Sequence, residues 1–134
     1  MKKTILIAVC ILVAILLVIA LLPVKIDCGD SQWYTLAERR AAAELIAARI
    51  RSFEGCRLFA VRYDGDDISQ NNLDYCNELV SGEKTYTDCV VFTSYFRSPI
   101  FGGGAWNANQ LYSWSWCLAR TEAEDWEIVA FGYA

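Results

Sequence analysis

The chemistry open to this 134-residue chain is limited first by an omission, because it contains no histidine. A serine–histidine or cysteine–histidine pair, in which imidazole takes the nucleophile's proton, cannot be built. Proton transfer would fall to a buried carboxylate of raised pKa working beside a tyrosine. Asp74 with Tyr75, and Asp88 near Tyr86, bring those types together in sequence. Each also reads as an ordinary residue of a helix surface or a strand edge.

Cysteine is the next reactive type. Cys10 lies in the apolar N-terminal run, and Cys28, Cys56, Cys76, Cys89 and Cys117 lie beyond it. No C-x-x-C spacing occurs, so neither a zinc site nor any other metal site is expected. Five cysteines can form two bridges and leave one thiol. Cys89 and Cys117, on the small faces of two strands expected to pair, are the first candidate disulfide. Cys56 with Cys76 is the second, and Cys28 is the spare. The alternative is that several stay as free thiols packed as small hydrophobes. No cofactor is expected. The glycines at 102–104 lack the lysine and Ser/Thr of a phosphate loop. "DGDD" at 64–67 lacks the later glycine and distal glutamate of a calcium loop.

Aromatic side chains are the remaining candidates for recognition. "LYSWSWCLARTEAEDWEIVAFGYA", residues 111–134, holds three of the five tryptophans. Tyr112, Trp114 and Trp116 alternate with Ser113, Ser115 and Cys117, which predicts a strand with one heavy face and one small face. That heavy face is either the inside of a sheet or the wall of a ligand site. All 18 aromatic residues follow residue 22, a surplus that makes a partly open cavity attractive. Tyr112, Trp114 and Trp116 are therefore the candidate ligand-binding residues, for a small apolar or aromatic compound or a peptide.

These side chains need elements to position them. "TLAERRAAAELIAARIRSF" predicts a long helix, opened by a capping box of Thr35 and Glu38. Its apolar stripe is Leu36, Ala43, Ile46, Ile50 and Phe53. "CRLFAVRY" predicts a strand, with Leu58, Ala60 and Arg62 opposite Phe59, Val61 and Tyr63. "ISQNNLDYCNELV" predicts a short helix ended by "SGEK". "TYTDCVVFTSYF" predicts a strand with Val90, Phe92 and Phe96 on one face. "RSPIFGGGAWNANQ" is a loop, because Pro99 and three glycines do not suit a central strand. "WEIVAFGY" returns as a strand whose two faces are both apolar, which predicts a central or doubly covered position.

The N-terminal segment stands apart. Residues 4–22 are uncharged and almost wholly apolar, and 19 residues of helix cover ~28 Å, close to the ~30 Å hydrocarbon core of a bilayer. No small-x-small cleavage pattern follows, so the segment reads as a retained membrane anchor. Lys2 and Lys3 outweigh Lys25 across it, which predicts a cytoplasmic N-terminus and an extracytoplasmic domain on the cell membrane. The expected division is an anchor at 1–22, a short linker at 23–34 and an α+β domain at 35–134. Without Lys2 and Lys3, ten basic residues face sixteen acidic ones. That balance argues against nucleic acid as a partner and against adhesion to anionic lipid.

The order of elements, with "RYDGDDIS", "YCNEL", "FRSP…GAW" and "YSWSWCLARTEAEDWEIVAFGY", resembles small membrane-anchored extracytoplasmic proteins of anaerobic Gram-positive bacteria. It also resembles the nuclear-transport-factor-two-like (cystatin-like) superfamily. The likeness covers residues 35–134. It implies a long helix packed on a curved antiparallel sheet with a conical pocket between them, and it implies no particular reaction. Three functions follow as expectations. The first is a non-enzymatic binding or interaction module at the membrane, whose partner is a small ligand, a peptide or a membrane protein. The second is a structural or regulatory subunit of a membrane complex. The third is a carboxylate–tyrosine acid–base enzyme.

Overall fold

The computed structural model describes residues 1–20, 22–80, 84–122 and 124–133. Most of "SGEK", the expected end of the short helix, lies outside them. Helix α1 (Lys2–Ala20) is long and apolar enough to cross a membrane, and its described apolar side chains are exposed. The rest is α+β: β1 (Lys25–Asp27), α2 (Leu36–Arg51), β2 (Arg57–Tyr63), α3 (Asp66–Asn71), α4 (Leu73–Leu79), β3 (Asp88–Arg97), β4 (Leu111–Arg120) and β5 (Glu127–Tyr133).

Among the described residues the strands form one sheet in the order β1-β2-β3-β4-β5. The expectation of an antiparallel sheet holds for β2 to β5, but β1 pairs parallel with β2. The cause is connectivity. Helix α2 carries the chain back to the end where β1 began, so β2 must start there and run the same way. Residues 23–34 are therefore more than a linker. They supply an edge strand and the buried Cys28 and Tyr34.

Helix α2 begins as its sequence dictates. The Thr35 hydroxyl accepts from the Glu38 amide at 3.2 Å, and the Glu38 carboxylate accepts from the Thr35 amide at 2.7 Å. Its buried face is Ala42, Ala43, Ile46, Ala47 and Ile50, while Leu36, expected in the stripe, is exposed. That face meets Leu58, Val61, Phe92, Phe96, Trp116 and Leu118.

The opposite face of the sheet is covered as well. Helices α3 and α4 form two short turns where one helix was expected, and they bury Cys76 with Cys89, Val91, Cys117 and Ala119. The molecule is therefore three layers, with a large aromatic core on the α2 side and a small thiol-rich core behind it.

Two bulges redistribute side chains that strict alternation would misplace. In β2 the register shifts at Phe59, so Leu58 and Val61 both reach the α2 core. In β5 it shifts at Val129, which joins Ala130 on the thiol side. Ile128 and Phe131 then share the aromatic face, although they stand three apart. β5 is also an edge strand, not a central one. Its apolar residues on both faces reflect layers that reach the sheet margin.

Candidate functional site

The three aromatic candidates lie side by side on β4, but mainly as core. Trp116 has no exposed surface, and its indole Nε1 donates to Ser94 Oγ at 2.7 Å. Its ring stacks on Phe131 at 4.8 Å between centroids. Tyr112 is buried and stacks on Phe96 at 5.6 Å. Trp114 is half-buried among Phe53, Phe96, Trp106 and Phe131. Its Nε1 is buried with no hydrogen-bond partner among the described residues. Trp106, which the sequence placed in a loop, folds back over this cluster against Phe53, Phe96 and Tyr112. The expected cone between helix and sheet is occupied by the protein's own rings.

The cysteines are free thiols. Cys76 and Cys89, both fully buried, bring their sulfurs to 3.5 Å. Cys89 and Cys117 share a sheet face, as their strand positions implied, and Cys117 completes the cluster. The Cys56–Cys76 pairing is corrected by the fold. Cys56 packs on the α2 side and Cys76 on the other, so the sheet stands between them. The hydrogen bond to Cys76 and burial both push the Cys117 thiol up. At Cys76 the contact with Cys117 pulls down, but the Cys89 contact and burial outweigh it and raise the thiol to about 12. Protonated, enclosed thiols are poor nucleophiles.

Open surface lies elsewhere. A cleft of about 580 Å³ is walled by Asp30, Gln32 and Trp33 from the β1–α2 loop, by Asp64 from the β2–α3 turn and by Asp66 and Asp67 at the start of α3. Trp33 is 66% exposed at its lip. Two interactions fix the walls. Asp66 accepts from Ser31 Oγ at 2.5 Å, the Gln32 amide at 2.8 Å and the Tyr63 hydroxyl at 2.7 Å. Arg39 is buried, and its guanidinium donates to the carbonyls of Cys28 at 2.8 Å, Gly29 at 3.0 Å and Tyr34. The loop carrying Trp33 is thus held at both ends.

Burial pulls the Asp66 carboxyl up, but its three hydrogen-bond donors outweigh this and hold it below the usual range. Burial raises Asp64, against the hydrogen bond from Thr93 and the charge of Arg62. Burial above all lifts the Tyr63 phenol to about 12. A carboxylate held ionised beside a phenol held protonated is a tether, not a proton-transfer pair.

The two pairs singled out for acid–base work differ from this. Asp74 and Tyr75 are exposed on α4. Asp88 accepts from Arg120 Nε at 3.0 Å. Arg120 also donates to Glu38 at 2.7 Å and lies 4.3 Å from the Trp126 ring centre. Arg120, Glu38 and Trp126 line a second groove, of about 480 Å³, between α2 and the β4–β5 hairpin.

The sequence signalled the cleft only as two unconnected segments, "CGDSQWY" and "YDGDDI". The parallel β1–β2 pair brings them together, and nothing local to either segment announces it. In comparisons with family models, curated proteins and solved structures, nothing matches this chain.

Proposed function

We propose that the protein is a membrane-anchored extracytoplasmic interaction module, held by α1 and of the cystatin-like, nuclear-transport-factor-two-like type. It recognises its partner on the outer surface, not in an enclosed pocket. One observation carries this reading: the fully buried Phe92, Phe96 and Trp116 fill the space between helix and sheet, and Phe53, Trp106 and Trp114 pack half-buried against them. A filled interior leaves no room there for a small apolar ligand, so recognition falls to surface features.

The acidic cleft is the best-shaped of these. Its rim combines the exposed indole of Trp33 with Asp30 and Asp67, and its wall is fixed by Asp66 and Arg39. Pre-ordered walls lower the entropic cost of binding. An aromatic face flanked by carboxylates suits a Lys or Arg side chain of a partner protein.

The test is photo-crosslinking in cells from p-benzoylphenylalanine at position 33, with position 75, exposed on α4 and outside the cleft, as control. A discrete protein adduct at 33 that disappears with Asp67→Lys supports the cleft. Adducts from 75 and none from 33 contradict it.

A further inference from the structure

The topology sorts the domain into two ends. β1 begins at Lys25, and four residues separate it from the end of α1 at Ala20. The end of the sheet where β1 begins is therefore the end nearest the anchor. Lys25 is level with Ala60 of β2, and Arg57 is level with Arg97 at the end of β3. Arg97 is in turn level with Leu111 at the start of β4, and Trp114 with Tyr133 at the end of β5. The last turn of α2, with Arg49 and Arg51, arrives at the same end.

This near end carries the loop at 98–110. In it Ile100 is 69% exposed and Phe101 95% exposed, and beside it Leu111 and Tyr133 also face outward. The loop does not float. Ser98 Oγ donates to the Asn107 carbonyl at 2.5 Å and accepts from the Gln110 amide at 2.8 Å. Pro99 lies against Gly55 of the α2–β2 turn, where a Cβ would come within 3.0 Å of its ring. A fixed loop that aims two large apolar side chains outward needs a partner to cover them.

We propose that this loop is a second, interfacial membrane contact. Ile100 and Phe101 enter the headgroup–acyl boundary of the leaflet in which α1 is rooted. Lys25, Arg49, Arg51, Arg57 and Arg97 face lipid phosphates around them. The contact rests on the reading of α1 as an anchor.

Reach and charge select lipid as the occupant. Four connecting residues extend at most roughly 15–18 Å. The near end therefore lies within about a headgroup layer or two of the hydrocarbon. The loop leaves β3 two strand spacings from β1, ~10 Å to the side. The charge is also polarised. Although the domain is acidic overall, the near end carries those five basic residues, with Glu54 as the acidic residue between α2 and β2. Asp27, Asp30, Asp64, Asp66 and Asp67 gather at the far end. A basic rim around protruding apolar side chains is the chemistry of an interfacial anchor. The net charge, read alone, argued against anionic lipid because it averages the two ends.

The full-length chain is reconstituted in vesicles of phosphatidylethanolamine and phosphatidylglycerol, with p-benzoylphenylalanine at Phe101 or, as far-end control, at Ile68. Both positions are exposed, so neither replacement disturbs the core. Irradiation is expected to give a lipid adduct at 101 and none at 68, in chains that resist carbonate extraction. Carbonate resistance with no adduct at 101, or with equal adducts at both sites, overturns the loop contact and leaves the anchor standing. Extraction by carbonate overturns both.

Discussion

The indole of Trp116 donates to the hydroxyl of Ser94 across neighbouring strands at 2.7 Å, and neither residue has any exposed surface. This pair ties the aromatic face of β4 to the middle of β3, where α2 covers both. Trp116→Ala is expected to cost ~3–5 kcal/mol through the lost burial and the cavity it leaves. Trp116→Phe keeps the packing against Phe131 but orphans the Ser94 hydroxyl, and should cost ~1–3 kcal/mol. Urea unfolding of the two variants checks the order. Equal effects would show that the hydrogen bond contributes nothing.

Arg39 is the second structural commitment. It holds three carbonyls of the β1–α2 loop, so Arg39→Met strands acceptors that no other side chain among the described residues reaches. A loss of about 3 kcal/mol is expected, at ~1–3 kcal/mol per unsatisfied group with partial access of water. Hydrogen exchange should quicken first in residues 28–34. Uniform quickening across the sheet would argue against a local clamp.

The thiol cluster makes a chemical prediction. Native protein should resist alkylation at Cys76, Cys89 and Cys117, and modification should follow unfolding. Diamide, which also needs a thiolate, should react slowly with the native protein, and the bridge that forms should join Cys76 to Cys89, whose sulfurs are 3.5 Å apart, and leave Cys117 as a thiol. Peptide mapping without reduction distinguishes this from a Cys89–Cys117 bridge.

Stability should fall in acid, and the sign follows from the carboxyl groups. Glu38 is held below its ordinary value by Arg120 and the Thr35 amide, Glu127 by Tyr86 and Lys84, and Asp66 by its three donors despite burial. A lowered folded pKa contributes stability above the unfolded value and loses it as pH falls through the folded one. Asp64, raised by burial, acts oppositely: its contribution is present below the unfolded value and lost as pH rises. Three groups against one give a net loss in acid. Asp66→Asn should flatten that loss, and Asp64→Asn should steepen it. Urea midpoints from neutral pH down through the carboxylate range measure both.

Local signals in the sequence account for much of this structure. The capping box of Thr35 and Glu38, the alternation of Val90, Phe92 and Phe96, and the aromatic face of β4 all rest on neighbours within a few residues. They are where the sequence placed them. What was not legible depends on distant partners. The bulge at Val129 is set by pairing with β4, and it puts Val129 and Ala130 on one face, which strict alternation forbids. The parallel edge strand β1 is three residues long and has no periodicity of its own. The acidic cleft exists only because that strand sets Ser31 beside Asp66, 35 residues away. The polarity of charge between the two ends is likewise a property of strand direction, which composition averages out.

The proposed external recognition rests on a helix–sheet interior closed by the protein's own aromatic residues. Native mass spectrometry of residues 23–134, gently purified, addresses it most directly. The expected mass is that of the bare polypeptide. Extra mass that departs on denaturation, and that Trp114→Ala retains less than the native chain does, would place a ligand among Tyr112, Trp114 and Trp116 and contradict external recognition.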